Sequence, residues 1–360
     1  MTVLWSDHVA DLMPYMPGEQ ANIPNLLKLN TNEHPYGPSP LAIAAIREAA
    51  SEDLRLYPDY QALALRQTIA QRYGVTPDQV FLGNGSDEIL AHAFNALFLR
   101  QGRPLLMPDV TYSFYQTYCC LYRVPHVCLP LADDFSIRIS DYIDWKGEAP
   151  AGIIFANPNA PTGKLLGLDD IAAIVRAHPD SSVVVDEAYI DFGGRSAVEL
   201  LAQFDNVLVI HTFSKSRSLA GLRVGYAMGS TSVIEALTRT KDSFNSYPID
   251  RLAQAGARAS MLDEAYFQST RRAVMDAREL LTQKMVTLGF NVLPSQANFV
   301  FARHPQHDAR QIQRLLREQG VLVRHFQQPR IAEYLRITVG SPEDCERLCN
   351  ALTLILDESH

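Results

Sequence analysis

The amino-acid sequence predicts an α/β fold: a mostly parallel central sheet with helices on both faces, followed by a smaller α+β domain at the C-terminal end. Three observations predict it. Residues 152–156, 182–185 and 207–211 are short, continuous apolar runs, the pattern of strands covered on both faces. Helical stretches at 168–177 and 197–204 separate them, which is the βαβ alternation of a parallel sheet. Beyond residue 250 the alternation gives way to a long helical region at 251–288, so the last third of the chain is built differently.

Residues 13–40 hold six of the 21 prolines (Pro14, Pro17, Pro24, Pro35, Pro38 and Pro40) and read as an extended arm. Helical patterns at 41–50 and 60–73 follow, the second ended by Gly74. Residues 80–82 form a short strand before Gly83, and 86–99 an apolar helix with Ser86 or Asp87 as its cap. Strands at 105–107 and 124–129 flank a segment at 112–121. The three apolar runs come next, and a strand at 224–228 closes this half. After the helical region come strands 291–293 and 298–301, a helix at 309–319, strands 321–324 and 334–338, and a last helix at 342–356. The expected division is an arm (1–40), a large α/β domain (41–250) and a small α+β domain (251–360), in keeping with about two domains for this length.

Composition narrows the function. With 47% hydrophobic and 20% charged residues the chain is globular in type. Lys plus Arg number 32 against 40 Asp plus Glu, a formal charge of −8, which argues against a nucleic-acid partner. An anionic ligand must then be caught by local donors. The five cysteines include an adjacent pair, Cys119 and Cys120, and no CxxC pair, so neither a disulfide framework nor a zinc knuckle is expected. Cys345 and Cys349, four apart on a predicted helix, read as core. His304 and His307 are the one metal-like histidine pair, but Pro305 lies between them and no carboxylate cluster accompanies them, so no metal is expected. No apolar run reaches the roughly 18 residues that a membrane span needs. Asp7, His8, Asp11 and Glu19 leave no signal-like apolar core at the start, and the expected location is cytoplasmic.

Chemistry concentrates at the strand ends. Asn157 follows the first apolar run, Asp186-Glu187-Ala188-Tyr189 the second, and Thr212-Phe213-Ser214-Lys215 the third. Asn157 to Asp186 and Asp186 to Lys215 each span 29 positions, about one βα unit. Amide, carboxylate and lysine are therefore expected along one sheet edge, where ligands of such folds bind. For two residues alone, a structural ion pair is the favoured reading of a buried acid near a lysine; the number of matched blocks shifts the weight. The stretch Leu29-Asn30-Thr31-Asn32-Glu33-His34-Pro35-Tyr36-Gly37-Pro38 is one block. Tyr57-Pro58, Gly83-Asn84-Gly85-Ser86-Asp87-Glu88, Asn157-Pro158-Asn159-Ala160-Pro161-Thr162-Gly163, Asp186-Glu187-Ala188-Tyr189, Ser214-Lys215, Gly221-Leu222-Arg223-Val224-Gly225 and Leu335-Arg336-Ile337-Thr338-Val339-Gly340 are the others. In these blocks, and in their order, the sequence resembles the fold-type I pyridoxal-phosphate aminotransferases over nearly its whole length. One departure is His34, where that family usually has a second Asn after Asn-Glu.

The resemblance implies pyridoxal 5'-phosphate (PLP) as cofactor and assigns roles residue by residue. Lys215 would hold the cofactor aldehyde as a Schiff base and later move a proton. Asp186 would pair with the pyridine nitrogen, and Asn157 and Tyr189 would donate to the ring's phenolate oxygen. Tyr112 would stack on the ring; Phe114 and Tyr115 lie close by as alternatives. Backbone N–H groups of Gly85, Ser86 and Asp87 at a helix start would hold the phosphate, joined by Ser214 and Arg223, with Asp87 using its amide and not its charge. Tyr57 would reach the phosphate of the other subunit of a homodimer. Arg336 would grip a carboxylate or phosphate by a bidentate fork, and Arg324 and Tyr15 are candidates for the phosphate end of the substrate.

The implied activity moves an amino group between L-histidinol phosphate and 2-oxoglutarate, in histidine biosynthesis. An aromatic amino-acid aminotransferase and a threonine-phosphate decarboxylase share the cofactor residues and remain alternatives. A PLP-fold regulator is disfavoured because the arm begins within the first 40 residues. A nicotinamide dehydrogenase is disfavoured because the glycines at 83 and 85 lack the third glycine of the dinucleotide fingerprint.

Overall fold

The computed structural model describes residues 4–16, 18–20 and 24–357. Those parts of the predicted arm at 1–3, 17 and 21–23, and of the C-terminal domain at 358–360, lie outside the described residues. The strands, in chain order, are β1 (Leu27–Leu29), β2 (Val80–Gly83), β3 (Leu105–Pro108), β4 (His126–Leu129), β5 (Gly152–Ala156), β6 (Ser182–Asp186), β7 (Val207–Thr212), β8 (Gly225–Gly229), β9 (Asn291–Val292), β10 (Phe299–Arg303), β11 (Val321–His325) and β12 (Leu335–Thr338).

Seven of them form one sheet in the order β2-β8-β7-β6-β5-β3-β4. Its pairs from β4 through β7 are parallel, and β8 runs antiparallel to both of its neighbours. Val183, Val184, Val185, Leu208, Val209 and Ile210 are all 0% exposed. Continuous apolar runs were the signature of strands covered on both faces, and these strands contribute alternate residues to two separate cores. Val183, Val185 and Val209 pack in one, Val184, Leu208 and Ile210 in the other.

The second sheet, β1-β11-β12-β10-β9, is antiparallel except where β1 joins β11 in parallel. Its edge strand thus comes from the predicted arm, with Leu27 paired to Val321 and Leu29 to Val323. Leu27 and Leu29 are buried in the core of this second sheet. That tether fixes the chain immediately before residues 30–32, which the site uses.

Three expectations are corrected. The apolar helix begins at Gly85 (Gly85–Phe98), with Asn84 at the cap position and no side-chain cap bond, not with Ser86 or Asp87 as cap. Its first amides are thereby left to a ligand. The region 251–288 is two helices, Arg251–Leu262 and Glu264–Thr287. Asp263 separates them, its side chain accepting from the Tyr266 amide and from Ser39 Oγ at 2.5 Å. The helix Thr231–Asp242 has no counterpart among the expected elements, although Ile234, Leu237 and Lys241 make a buried stripe on it.

Candidate active site

The strand order turns between β3 and β5, and the carboxyl ends of the parallel strands meet there, the place where open α/β sheets bind ligands. A cleft of roughly 1520 Å³, its open mouth included, occupies it. Of the predicted residues, Tyr15, Ser86, Asp87, Tyr112, Asp186, Tyr189, Ser214, Lys215, Arg223, Arg324 and Arg336 line this one cleft. They lie up to 321 positions apart in the chain.

Asp186 ends β6 and is 5% exposed. Its Oδ2 accepts from the Tyr115 hydroxyl at 2.8 Å and its Oδ1 from the Ala188 amide at 3.3 Å. Both donors are neutral, and among the described residues no Lys or Arg lies within ion-pair distance. Burial therefore pushes its carboxyl up to about 6, with the two hydrogen bonds opposing. Such a carboxylate is suited to a cationic N–H supplied by a ligand.

Lys215 follows β7 and the short Phe213-Ser214 link; its Nζ donates to the Thr31 carbonyl at 3.1 Å and stands 5.8 Å from the Tyr189 ring centre. Asn32 Nδ2 donates to the Tyr189 hydroxyl at 3.0 Å, and Arg336 Nη2 donates to the Asn30 carbonyl at 2.9 Å. Three successive arm residues thus each touch one site residue. In the sequence this tripeptide is part of a block with no assigned role. Nothing local marks it, because its partners lie more than 150 positions away.

The helix start at Gly85 makes an anion cup. Gly85 has φ +81°, and a Cβ there would meet Arg223 Nη2 at 2.5 Å. At Gly225 a Cβ would meet the Ser86 amide nitrogen at 2.5 Å, so the absence of a side chain lets β8 lie against the helix N-terminus. Arg223 reaches Ser214 Oγ at 3.4 Å and Asp87 Oδ2 at 3.1 Å. The Asp87 carboxylate is engaged on both oxygens: the other accepts from the Tyr112 hydroxyl at 3.0 Å, so its charge ties Tyr112 to Arg223. Tyr115, close by in the sequence, is fully buried and packs edge-on against Tyr112 at 5.6 Å.

At the substrate end, Arg336 is half-buried and pairs with no carboxylate among the described residues; its Nε has no hydrogen-bond partner. Burial lowers its pKa. Arg324 lies directly opposite it across the β11–β12 ladder and donates to the Met16 carbonyl at 3.2 Å. Phe326 faces both guanidiniums at 5.7 Å. Tyr15 packs on Phe114 at 4.7 Å and on Tyr112 at 6.3 Å, which brings the arm over this wall.

Three predicted residues are not among those lining the cleft: Gly85, Asn157 and Tyr57. Asn157 is 1% exposed, and its side chain bonds the Leu166 backbone through both Oδ1 and Nδ2, leaving one amide proton. Tyr57 is 79% exposed and stacks on Tyr247 at 4.7 Å. His34 also lies outside the cleft lining. Burial lowers it to about 4, so it is a neutral ring, packed near Tyr36 and Phe192.

These features fit PLP on their own chemistry: a buried carboxylate without a cation, a lysine lining the same cleft, an uncapped helix start and an arginine without an acid. The fold and the site together define a fold-type I aminotransferase. The profile of the aminotransferase class I and II family matches residues 24–352, and the chain belongs to that family. It is similar to histidinol-phosphate aminotransferase 1 of Bordetella parapertussis, 59% identical over 355 residues, 99% of each chain. To the enzyme of the same name from Pseudomonas aeruginosa it is 59% identical over 352 residues, 98% of this chain and 99% of the other. Among solved structures, histidinol-phosphate aminotransferase from Sinorhizobium meliloti in complex with pyridoxal-5'-phosphate superposes with a TM-score of 0.90 at 25% identity, covering 100% of this chain and 99% of that one.

Proposed function

We propose that the chain is a PLP-dependent aminotransferase exchanging an amino group between L-histidinol phosphate and 2-oxoglutarate, in histidine biosynthesis. The observation that carries this reading is the pair Arg324 and Arg336 set opposite each other in the cleft, the second with no carboxylate partner. Near-full-length likeness to histidinol-phosphate aminotransferases supports it.

Bound PLP would supply the electron sink that makes the substrate Cα proton removable. Lys215 would anchor the cofactor and, once displaced by the substrate amine, carry the proton between Cα and the cofactor carbon. Asp186 would keep the pyridine nitrogen protonated, while Tyr189, with the spare amide proton of Asn157, would donate to the phenolate oxygen. Ser86 and Asp87 amides, with Gly85 giving the helix start its turn, would join Ser214 and Arg223 around the phosphate. Tyr112 would cover one face of the ring. Arg336, Arg324 and Tyr15 would hold the substrate's oxyanion and exclude water from that end.

We read the enzyme as a cytoplasmic homodimer. Tyr57 would reach the partner's phosphate cup, which accounts for a tyrosine exposed among Leu54, Leu56, Tyr60, Phe244 and Tyr247, all more than 40% exposed in the single chain. Among the described residues no helix is long and apolar enough to cross a membrane. The division into arm (1–40), large domain (41–250) and small domain (251–360) belongs to the same reading, and the two separate sheets support it.

Stopped-flow half-reactions test the substrate. Arg324→Ala should impair the histidinol-phosphate half-reaction more than the glutamate one, and Arg336→Ala should impair glutamate strongly, by about 2–5 kcal/mol in transition-state binding. Equal losses for Arg324→Ala, or a preference of the unaltered enzyme for phenylalanine, would instead favour an aromatic aminotransferase.

A further inference from the structure

Asn32 is 1% exposed and sits in the left-handed backbone region at φ +56°, where Asn is among the few residues tolerated. All four of its polar groups are bonded. Its backbone N–H donates to Thr338 Oγ1 at 3.0 Å, and its carbonyl accepts from Asn298 Nδ2 at 3.0 Å. Its side-chain Oδ1 accepts from Thr338 Oγ1 at 3.1 Å, and its Nδ2 donates to the Tyr189 hydroxyl at 3.0 Å.

These bonds have a direction. A threonine hydroxyl carries one proton. Thr338 Oγ1 already accepts the Asn32 amide, so its proton goes to Asn32 Oδ1. Were the Asn32 amide turned over, Thr338 would face two N–H donors with no acceptor for its own proton at a site 2% exposed, an arrangement that buried hydroxyls avoid. The amide is thus locked with Nδ2 toward Tyr189. Because Nδ2 can only donate, the phenol oxygen must accept, and the single phenol proton has to point elsewhere. Among the described residues no acceptor takes it, and Tyr189 lines the cleft.

We propose that Asn32 is a positioning residue for the aminotransfer reaction: locked by Thr338, it sets the direction of the Tyr189 hydroxyl and aims its proton into the cleft, toward the phenolate oxygen of the cofactor. The inference rests on the reading that the cleft holds PLP. It gives the arm a task in the chemistry, since the same strand that carries Arg336 carries Thr338 two positions on, on the same face.

The test is a pH titration of the visible absorbance of the PLP-loaded enzyme, with melting of the cofactor-free form measured alongside. Asn32→Asp replaces the donor by an acceptor and should capture the tyrosine proton. Its titration midpoint should rise by about one pH unit, a tenfold change in proton affinity, as should that of Tyr189→Phe. The double variant should rise no further than Tyr189→Phe alone. Thr338→Val, which adds no charge and unlocks the amide, should shift the midpoint the same way, and only when Tyr189 is present; it carries the test if Asn32→Asp does not fold. An unchanged midpoint in a folded Asn32→Asp or Thr338→Val enzyme overturns the inference. So does a shift that persists in the Tyr189→Phe background, which would make Asn32 a structural residue or the new charge a direct influence. An unaltered protein that takes up no PLP would remove the proposed function and this inference together, whereas normal PLP uptake without the shift removes this inference alone.

Discussion

Asp186 illustrates how a single buried group can be set against the stability of the chain that carries it. Its carboxyl is raised to about 6 from an ordinary 3.8, chiefly by burial. Between those values the folded, cofactor-free protein holds a proton that the unfolded chain has lost. The contribution of this group to stability is therefore complete below about pH 4 and disappears as pH rises through about 6. Asp186→Asn should make the cofactor-free protein more stable than the parent at pH 7, by about 1–3 kcal/mol, with the difference vanishing near pH 4. The same substitution should lower turnover by on the order of 10²-fold or more, because a neutral amide cannot hold the ring nitrogen protonated. Denaturant melts at the two pH values and single-turnover rates check both halves; a near-parental rate would remove the electron-sink role. Lys215→Ala tests the other partner. It should fold and retain PLP non-covalently, since the proposed phosphate cup does not include this side chain. Borohydride treatment should then fix no cofactor to the protein, and covalent fixation at the parental level would show that another amine is the anchor.

At the scale of elements, the cup depends on two backbones lying closer than side chains allow. Gly225 begins β8, and any Cβ there would press on the Ser86 amide nitrogen and the Gly85 carbonyl carbon at 2.5 and 2.6 Å. Those are backbone atoms, so no rotamer change relieves the contact. Gly225→Ala should push the helix start away from β8 and weaken PLP binding by roughly tenfold or more, an effect of about 1.4 kcal/mol. Fluorescence titration of the cofactor-free protein with PLP measures it, and an affinity equal to the parent's would mean that β8 does not shape the cup. The helix behind the cup was legible from its apolar pattern, but its start was not. An uncapped N-terminus at Gly85 contradicts the ordinary preference for Ser or Asp at a cap. Local propensity gives way there because the free amides face the cleft.

For the whole molecule, the proposed homodimer rests on the exposed aromatic cluster around Tyr57. The purified protein should sediment at twice the 40.2 kDa mass of the chain. If Tyr57 serves the partner's cup as proposed, Tyr57→Phe should loosen PLP without changing that mass, since it would remove one hydroxyl from that cup and leave the ring stacked on Tyr247 in place. A monomer with full PLP affinity would exclude any contribution from a second subunit.

What the sequence determined by itself was the order of the parts. The runs at 152–156, 182–185 and 207–211 became β5, β6 and β7 nearly to the residue, because a strand covered on both faces is apolar nearly throughout and these runs are too short for a buried helix. The 29-residue spacing likewise placed Asp186 and Lys215 at neighbouring strand ends, since a βα unit consumes about that length. Tertiary structure alone decided which backbone atoms and neutral donors surround these groups. Tyr115 became the donor to Asp186 and Asn32 the donor to Tyr189. Tyr115 comes from a helix beside the sheet and Asn32 from the arm, and neither has a local pattern that distinguishes a core aromatic or an arm amide from a site residue. Hydrogen bonds between positions 71 and 157 apart depend on how two sheets and an arm come to rest against one another, and periodicity records only what each segment buries.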